Sequence, residues 1–544
     1  MQDTLQDITQ LLHKLYPTSY NTLLVELTPL LSPLKKEITQ RKNDVILVTY
    51  PNSIQSPNEK NLQTLKWFLD TYIKDAVSIL HILPFWKATS DDGFAISDYT
   101  SITPAFGTWS MLRSISKKYM ILADVVLNHV SSQHPWFLQA LKQDNYYKDF
   151  FYSYTIKPIE QKSTFRPRTS QLYTPFTIKS QTHFFQTTFS PDQIDLNFEN
   201  PNVFLSFVKI IRTYVQHNIH AFRLDAILYL FQNGIEEQNE KIQLLISCIK
   251  KIITLWIPQN LLISEVHTTV THAKTYLTKN TSDLIYHFEL SALLLHTLYT
   301  QDATKITNWL EQLQPYTTNG SFIHFTSTHD GISLHTVIDI LSKDEFSNLI
   351  QTLKKNGSLL SYKTKGDVTE PYEANCTFLD ACASIPSFLA SKYITLALRG
   401  VALVYISDFF AAHNWNEGVT LYQSARKINR ETFQKETIQE FLQKDGSPQH
   451  TVYSALFHAL HVRKSEKLFH HSAQQKILSI HPSIICIKRY TTDSQLLCVT
   501  NISKKTIRLS MKKIFKSGYD ILHLEKSTST IILQAYQTKW IKVV

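Results

Sequence analysis

At 544 residues, 43% of them hydrophobic and 18% charged, the chain has the make-up of a folded globular protein, with room for one large barrel plus additions or for two to four domains. Its formal net charge of +10 is spread over short clusters such as LKKE and SMKK, and no nucleic-acid motif accompanies it, so the excess suits an anionic substrate such as phosphate better than a polynucleotide. No apolar run approaches the roughly 18 residues that span a bilayer.

Residues 1–44 read as two amphipathic helices; acids come early and no basic stretch precedes an apolar core, unlike a secretory leader. VILVTY (45–50) is the first candidate strand. VSILHILPF (77–85), YMILADVVLNHV (119–130), HAFRLDA (220–226), LLISEVH (261–267), DLIYHFEL (283–290), FIHFTSTHD (322–330) and VALVYISDFF (401–410) make a count of eight. Strand alternating with helix-length stretches, eight times, predicts an α/β fold, a (β/α)8 TIM barrel. The stretch 145–200 is aromatic with little helical periodicity and reads as an inserted lobe; a second insertion occupies 335–385. After about residue 470 the texture changes to short alternating runs, which predicts a C-terminal antiparallel β domain over 471–544 and leaves 45–470 to the barrel and its lobes. The five cysteines are odd in number and lack metal-ligand spacing, which favours free thiols in a reducing, cytoplasmic setting.

Three carboxylates stand out where apolar runs end: Asp225 in AFRLDA, Glu265 in LLISEVH and Asp330 in FTSTHDG. Arg223 and Asp225 are two apart, as are Glu265 and His267, so on a strand each pair projects on one face. Charges at the carboxyl ends of parallel barrel strands are where such barrels keep their chemistry, and three acids from three strands point to glycosyl transfer. A retaining mechanism needs an ionised nucleophile and a protonated acid; Arg223 favours the charged form of Asp225, and neighbouring carboxylates with apolar strand favour the acidic form of Glu265.

HILPFWKATSDDGFAISDYTSITPAFGTW, ADVVLNHVSSQHPWF, FRPRTSQLYTPF, TTFSPDQIDLNF, AFRLDA, SEVHT, STHDGI, PYEAN and RKINRE follow one another in the order of a known family. The chain resembles the sucrose phosphorylase branch of the α-amylase superfamily, most closely its glucosylglycerate-phosphorylase-like members, from about Asn43 to Arg430. The resemblance implies a cytoplasmic retaining α-glucoside phosphorylase that transfers glucose from a small α-glucoside to inorganic phosphate. Asp225 would be the nucleophile, Glu265 the acid and base, and Asp330 the stabiliser of the charged transition state, with His329 and His129 beside it. Asp91 and Arg426 match positions that clamp the far edge of the glucose ring, and Phe94 and Tyr229 match aromatic positions lining its subsite. Arg166 and Arg168 in FRPR, with Tyr372, match the loop that receives phosphate, and planar guanidinium groups suit that dianion. Glu373 stands where sucrose phosphorylases tend to carry glutamine, which tilts the acceptor away from fructose. No metal or organic cofactor is implied, phosphate being a co-substrate, and no membrane or nucleic-acid partner.

Other readings stay open for single positions: Phe94 and Tyr229 also suit core packing, Arg426 a structural ion pair, and Arg166 and Arg168 surface ion pairs. Two other functions fit the same acids, a retaining α-glucosidase or transglucosidase and a silent barrel serving as a binding subunit. The chain departs from the family at Ala221, Ser333, Ala402 and Pro51-Asn52, where glycine, proline or aspartate are common, and in FFAAHNWNEG after the eighth strand. Glycine losses matter where the backbone needs positive φ.

Overall fold

The computed structural model describes residues 2–34, 45–159, 170–231, 235–313, 320–365 and 368–544. Eight strands close into a parallel barrel: β1 (Val45–Thr49), β2 (Ile79–Ile82), β3 (Met120–Val126), β4 (Ile219–Asp225), β5 (Leu261–Ser264), β6 (Leu284–Tyr286), β7 (Ser321–His324) and β8 (Val401–Tyr405). Each pairs with its successor and β8 pairs with β1, so ring order is chain order. Each of the eight overlaps a run read as a strand from the sequence; β4 and β7 begin one residue before theirs, at Ile219 and Ser321. Both faces of these strands are buried, and that is why they read as unbroken apolar runs. The runs are longer than the strands: 401–410 stops at Tyr405, and Ile406–Phe410 forms a 3-10 turn.

Helices cover the outside. Pro201–Gln216 shows how the sequence starts one: Asn200 accepts from the Asn202 N–H, and Pro201 occupies the first turn, where no N–H is needed. Gln2–Leu15 lays Ile8, Leu12 and Leu15 into the main core, and Asp7 pairs with Lys251 at 2.6 Å. After β3 the chain forms a three-stranded antiparallel sheet (Ser153–Tyr154, Tyr173–Ile178, Gln181–Gln186). It is tied down where Gln193–Asp195 pairs with His129–Ser131. After β7 comes a hairpin of Leu359–Lys365 and Val368–Asn375.

The C-terminal region is a six-stranded antiparallel sheet with an extra two-stranded ribbon. Along Ile484–Tyr490 and Gln495–Asn501 alternate residues serve two cores. Ile485, Ile487, Leu496 and Cys498 join the main core, whereas Ile484, Cys486, Leu497 and Val499 pack under the ribbon with Ile531 and Leu533. A period of two with both faces apolar explains the run SIICIK.

None of Ala221, Ser333 and Ala402 adopts positive φ, so these departures from the family strain no turn. Left-handed backbone falls on other non-glycine positions, among them Ala226 (φ 54) and Ala411 (φ 46).

Candidate active site

A cleft enclosing about 650 Å³, part of it open to solvent, lies at the carboxyl ends of the barrel strands. Asp225, Glu265 and Asp330 all line it. Asp225 is the last residue of β4, with Arg223 two positions earlier, and Glu265 follows the last residue of β5. The chain turns sharply after Asp225 through the left-handed Ala226, whose N–H donates to Glu265 Oε2 at 3.2 Å. A non-glycine residue in that conformation beside reactive groups is strain held by its surroundings. Asp330 departs from the strand-end expectation: β7 stops at His324, and Asp330 sits in the loop beyond it. That loop is latched from the other side of the cleft. Asn429 donates to the carbonyls of Thr328 (3.2 Å) and Asp330 (3.1 Å), and Arg430 donates to the carbonyl of His329 (2.8 Å).

The three carboxyls are buried together and differ in charge preference. Burial pushes Glu265 up to about 7, against the pull of Arg223 and with the help of the Asp225 and Asp330 charges. Burial also lifts Asp225 to about 6. Arg223 pulls the Asp225 carboxyl down, as expected from the sequence, but burial outweighs it. Arg223 Nη1 is shared between Asp225 (2.5 Å) and the fully buried Asp124 (2.6 Å), so it offsets only part of the penalty. Burial acts on Asp330 in the same sense, but His329, Arg426, Arg223 and Arg430 outweigh it and hold that carboxyl well below the usual range. The ordering gives an ionised Asp330, an Asp225 that ionises next, and a Glu265 that keeps its proton longest. A retaining pair therefore works in a narrow window. We expect a bell-shaped pH profile of kcat/KM for an α-glucoside, rising through about 6 as Asp225 loses its proton and falling above about 7 as Glu265 loses its own. A profile flat across pH 5–9 would sink this assignment.

The remaining walls suit a hexose. Phe94 stacks on His329 with ring centroids 5.4 Å apart and planes 5° apart, and Tyr50 meets His329 edge-on at 6.0 Å. Burial drives His329 down to about 3 and His129 down to about 4, so both present neutral imidazoles. His129 pairs with Gln193 at 2.9 Å, and Gln193 donates to Asp91 at 3.1 Å. Tyr229 meets Phe189 edge-on at 5.3 Å. Asp91, Asp92 and Gly93 all have positive φ, and a Cβ on Gly93 would stand 2.7 Å from the Pro84 carbonyl oxygen, so this turn requires its glycine. Asp92 is held by Lys427 and by Arg430 at 2.6 Å, which fixes Asp91 at the cleft.

On the acceptor side Tyr372 lines the cleft, bonded to His267 Nδ1 at 2.7 Å and stacked on His335. Glu373 does not line it, contrary to its reading as an acceptor contact. Its carboxylate is fully buried and receives Arg426 Nη2 at 2.9 and 3.0 Å. Arg426 Nη1 meanwhile donates to Asp330 at 2.6 Å, so Arg426 both lines the cleft and bridges two acids. Arg166 and Arg168 lie outside the described residues.

His267, paired with Glu265 on one strand face in the sequence, does line the cleft, whereas Asp124, His81, Gln193, Phe189 and Arg430 are not marked as site residues by the sequence. Asp124 left a signal, a charge inside the apolar run MILADVV, where an ionised group survives only with a partner.

Comparison with known proteins places this geometry in a family. A family model described as alpha amylase, catalytic domain, matches residues 49–347. The glucosylglycerate phosphorylase of Allomeiothermus silvanus is 32% identical over 92% of this chain and 91% of its own length. That of Escherichia coli is 30% identical over 99% of this chain and 100% of its own. The crystal structure of sucrose 6F-phosphate phosphorylase from Thermoanaerobacter thermosaccharolyticum superposes with a TM-score of 0.77 at 23% identity, covering 91% of this chain and 99% of that one. The chain belongs to the α-amylase family, in the branch that holds the glucosylglycerate and sucrose phosphorylases.

Proposed function

We propose that this chain is a retaining α-glucoside phosphorylase acting on glucosylglycerate, with inorganic phosphate as co-substrate. The observation that carries the reading is the split pair in one cleft, Asp225 held by Arg223 and Glu265 kept protonated by burial. Asp225 attacks the anomeric carbon while Glu265 gives its proton to the departing glycerate oxygen, leaving a β-glucosyl ester on Asp225. Glu265, now ionised, takes a proton from the incoming phosphate, whose oxygen attacks the same carbon from the opposite face. Asp225 leaves, and α-glucose 1-phosphate forms with the starting configuration. Asp330 and Arg426 hold the sugar hydroxyls, His329 and His129 add neutral hydrogen-bonding groups, and Asp91, Phe94 and Tyr229 shape the subsite. Tyr372, together with Arg166 and Arg168, receives phosphate.

Glycerate as acceptor rests on the relatives of 30–32% identity that span nearly the whole chain, against 25% for the sucrose phosphorylase of Streptococcus mutans. Glu373 does not oppose an anionic acceptor directly, because its carboxylate is paired with Arg426 and turned out of the cleft. The reaction as proposed needs no metal or organic cofactor. Among the described residues no helix is long and apolar enough to cross a membrane. All five cysteines are free and buried, which supports a reducing, cytoplasmic setting.

The test runs the reaction in reverse: α-glucose 1-phosphate with glycerate, glycerol, fructose, fructose 6-phosphate or glucose, following phosphate release. Release that depends on glycerate is the expected result. Release with fructose alone would overturn the choice of acceptor, and release indifferent to any acceptor would overturn the phosphorylase.

A further inference from the structure

Below the cleft, inside the barrel, a chain of buried polar groups runs from β2 to the nucleophile. His81 on β2 reaches Asp124 on β3 through Nε2 at 2.9 Å; Asp124 accepts from Arg223 Nη1 on β4 at 2.6 Å; and Arg223 Nη1 holds Asp225. His81, Asp124 and Arg223 are each at least 97% buried. His81 touches no wall of the cleft, so no step of the double displacement uses it.

We propose that His81 is a positioning residue for the nucleophile: by holding Asp124 it sets how much of the Arg223 charge is left to Asp225. The inference rests on the retaining mechanism above. Two acids compete for one guanidinium nitrogen. A donor on the far side of Asp124 weakens that competitor and lowers its repulsion of Asp225. Burial pushes the Asp124 carboxyl up, and His81 followed by Arg223 reverses this to about 2, so Asp124 stays charged and the balance is real. Packing alone does not explain a histidine here. His81 borders a small cavity shared with Arg223 and His329, and His81 Nδ1, Arg223 Nε and His329 Nδ1 are buried polar atoms without a hydrogen-bond partner among the described residues. A space bordered by three such atoms suits one bridging water, which would hold the imidazole in the orientation that presents Nε2 to Asp124.

The charged and titratable groups facing Asp225 are Arg223 on its own strand, Asp124 from β3, Glu265 after β5, Asp330 after β7 and Tyr99 from the strand Ile96–Ile102. The phosphate co-substrate titrates near the same pH, so the test uses α-glucosyl fluoride, whose leaving group needs no proton and whose kcat/KM reports attack by Asp225. The wild-type profile comes first; an inactive wild type overturns the function reading, and the role of His81 falls with it. With an active wild type, His81→Asn, too short to reach Asp124, is expected to move the acidic limb up by about one pH unit. His81→Gln, whose amide reaches where Nε2 stands, is expected to return it to the wild-type position. Thermal melts confirm that both fold. If His81→Asn lowers kcat/KM equally at every pH with the limb unmoved, or if Gln and Asn behave alike, His81 is structural and the proposal falls while the function reading stands.

Discussion

Asp225→Asn is expected to reduce turnover of any α-glucoside by about 10⁴-fold or more, while leaving the protein as stable as before or more so. The loss follows from chemistry: the amide cannot form the glucosyl ester. The stability follows from the electrostatics of the same site. A carboxyl whose folded-state pKa is raised, as burial raises Asp225 to about 6, is destabilising when ionised at higher pH. Asp124 and Asp330 add repulsion, and Arg223 keeps Asp124 as a partner after the change. A neutral, isosteric side chain therefore relieves the folded state at neutral pH. The measurement pairs a melting curve with turnover on α-glucosyl fluoride. Retained turnover would remove the nucleophile role from Asp225. A sharp fall in melting temperature would make the loss uninformative about chemistry and contradict the charge balance at this carboxyl.

Glu265→Gln should separate substrates by their leaving groups. A glycerate alkoxide needs a proton as it departs, so cleavage of glucosylglycerate should fall by about 10²–10⁴-fold. Fluoride leaves without one, so kcat/KM for α-glucosyl fluoride should stay within about tenfold of wild type. Phosphate carries its own negative charge into the second step and should turn over the glucosyl-enzyme without the carboxylate. Equal losses on both substrates would mean that Glu265 does something other than transfer a proton. Its position supports the division of labour: Glu265 sits just past β5, tied by the Ala226 N–H to the residue after the nucleophile, in the most strongly proton-retaining site of the three acids.

The barrel was legible because parallel strands buried on both faces print as apolar runs, from VILVT to VALVY. Where each strand ends was less so. Ile406–Phe410 continues the run but carries Ser407 and Asp408, and it curls into a 3-10 turn in which Asp408 accepts the Tyr405 N–H at 3.1 Å. Asp330 shows the same limit, since FIHFTSTHD reads as one run although β7 stops at His324. Within the cleft the ordered motifs marked the acids and the aromatic walls, and the structure brings Asp91, Phe94, His129, Tyr229, His329, Tyr372 and Arg426 to the same cavity. Depth was not legible. Tyr372 and Glu373 are neighbours on one strand, yet Tyr372 faces the cleft while Glu373 lies buried against the Arg426 guanidinium. Nor was sharing: Arg223 is two residues from Asp225 in the sequence, but its second acid, Asp124, comes from β3, and only the closed barrel reveals the competition. The balance between burial and one divided guanidinium depends on tertiary distances, so the raised Asp225 could not be read from AFRLDA.

The measurement that tests the central claim most directly is the product balance of the forward reaction. Glucosylglycerate is incubated with the protein at increasing phosphate, and α-glucose 1-phosphate and free glucose are both quantified. A phosphorylase gives α-glucose 1-phosphate as the main product, at a rate that rises with phosphate and saturates, with free glucose a minor product that phosphate suppresses. Free glucose forming as the main product, at a rate indifferent to phosphate, would contradict it and make the chain a hydrolase built on the same three acids.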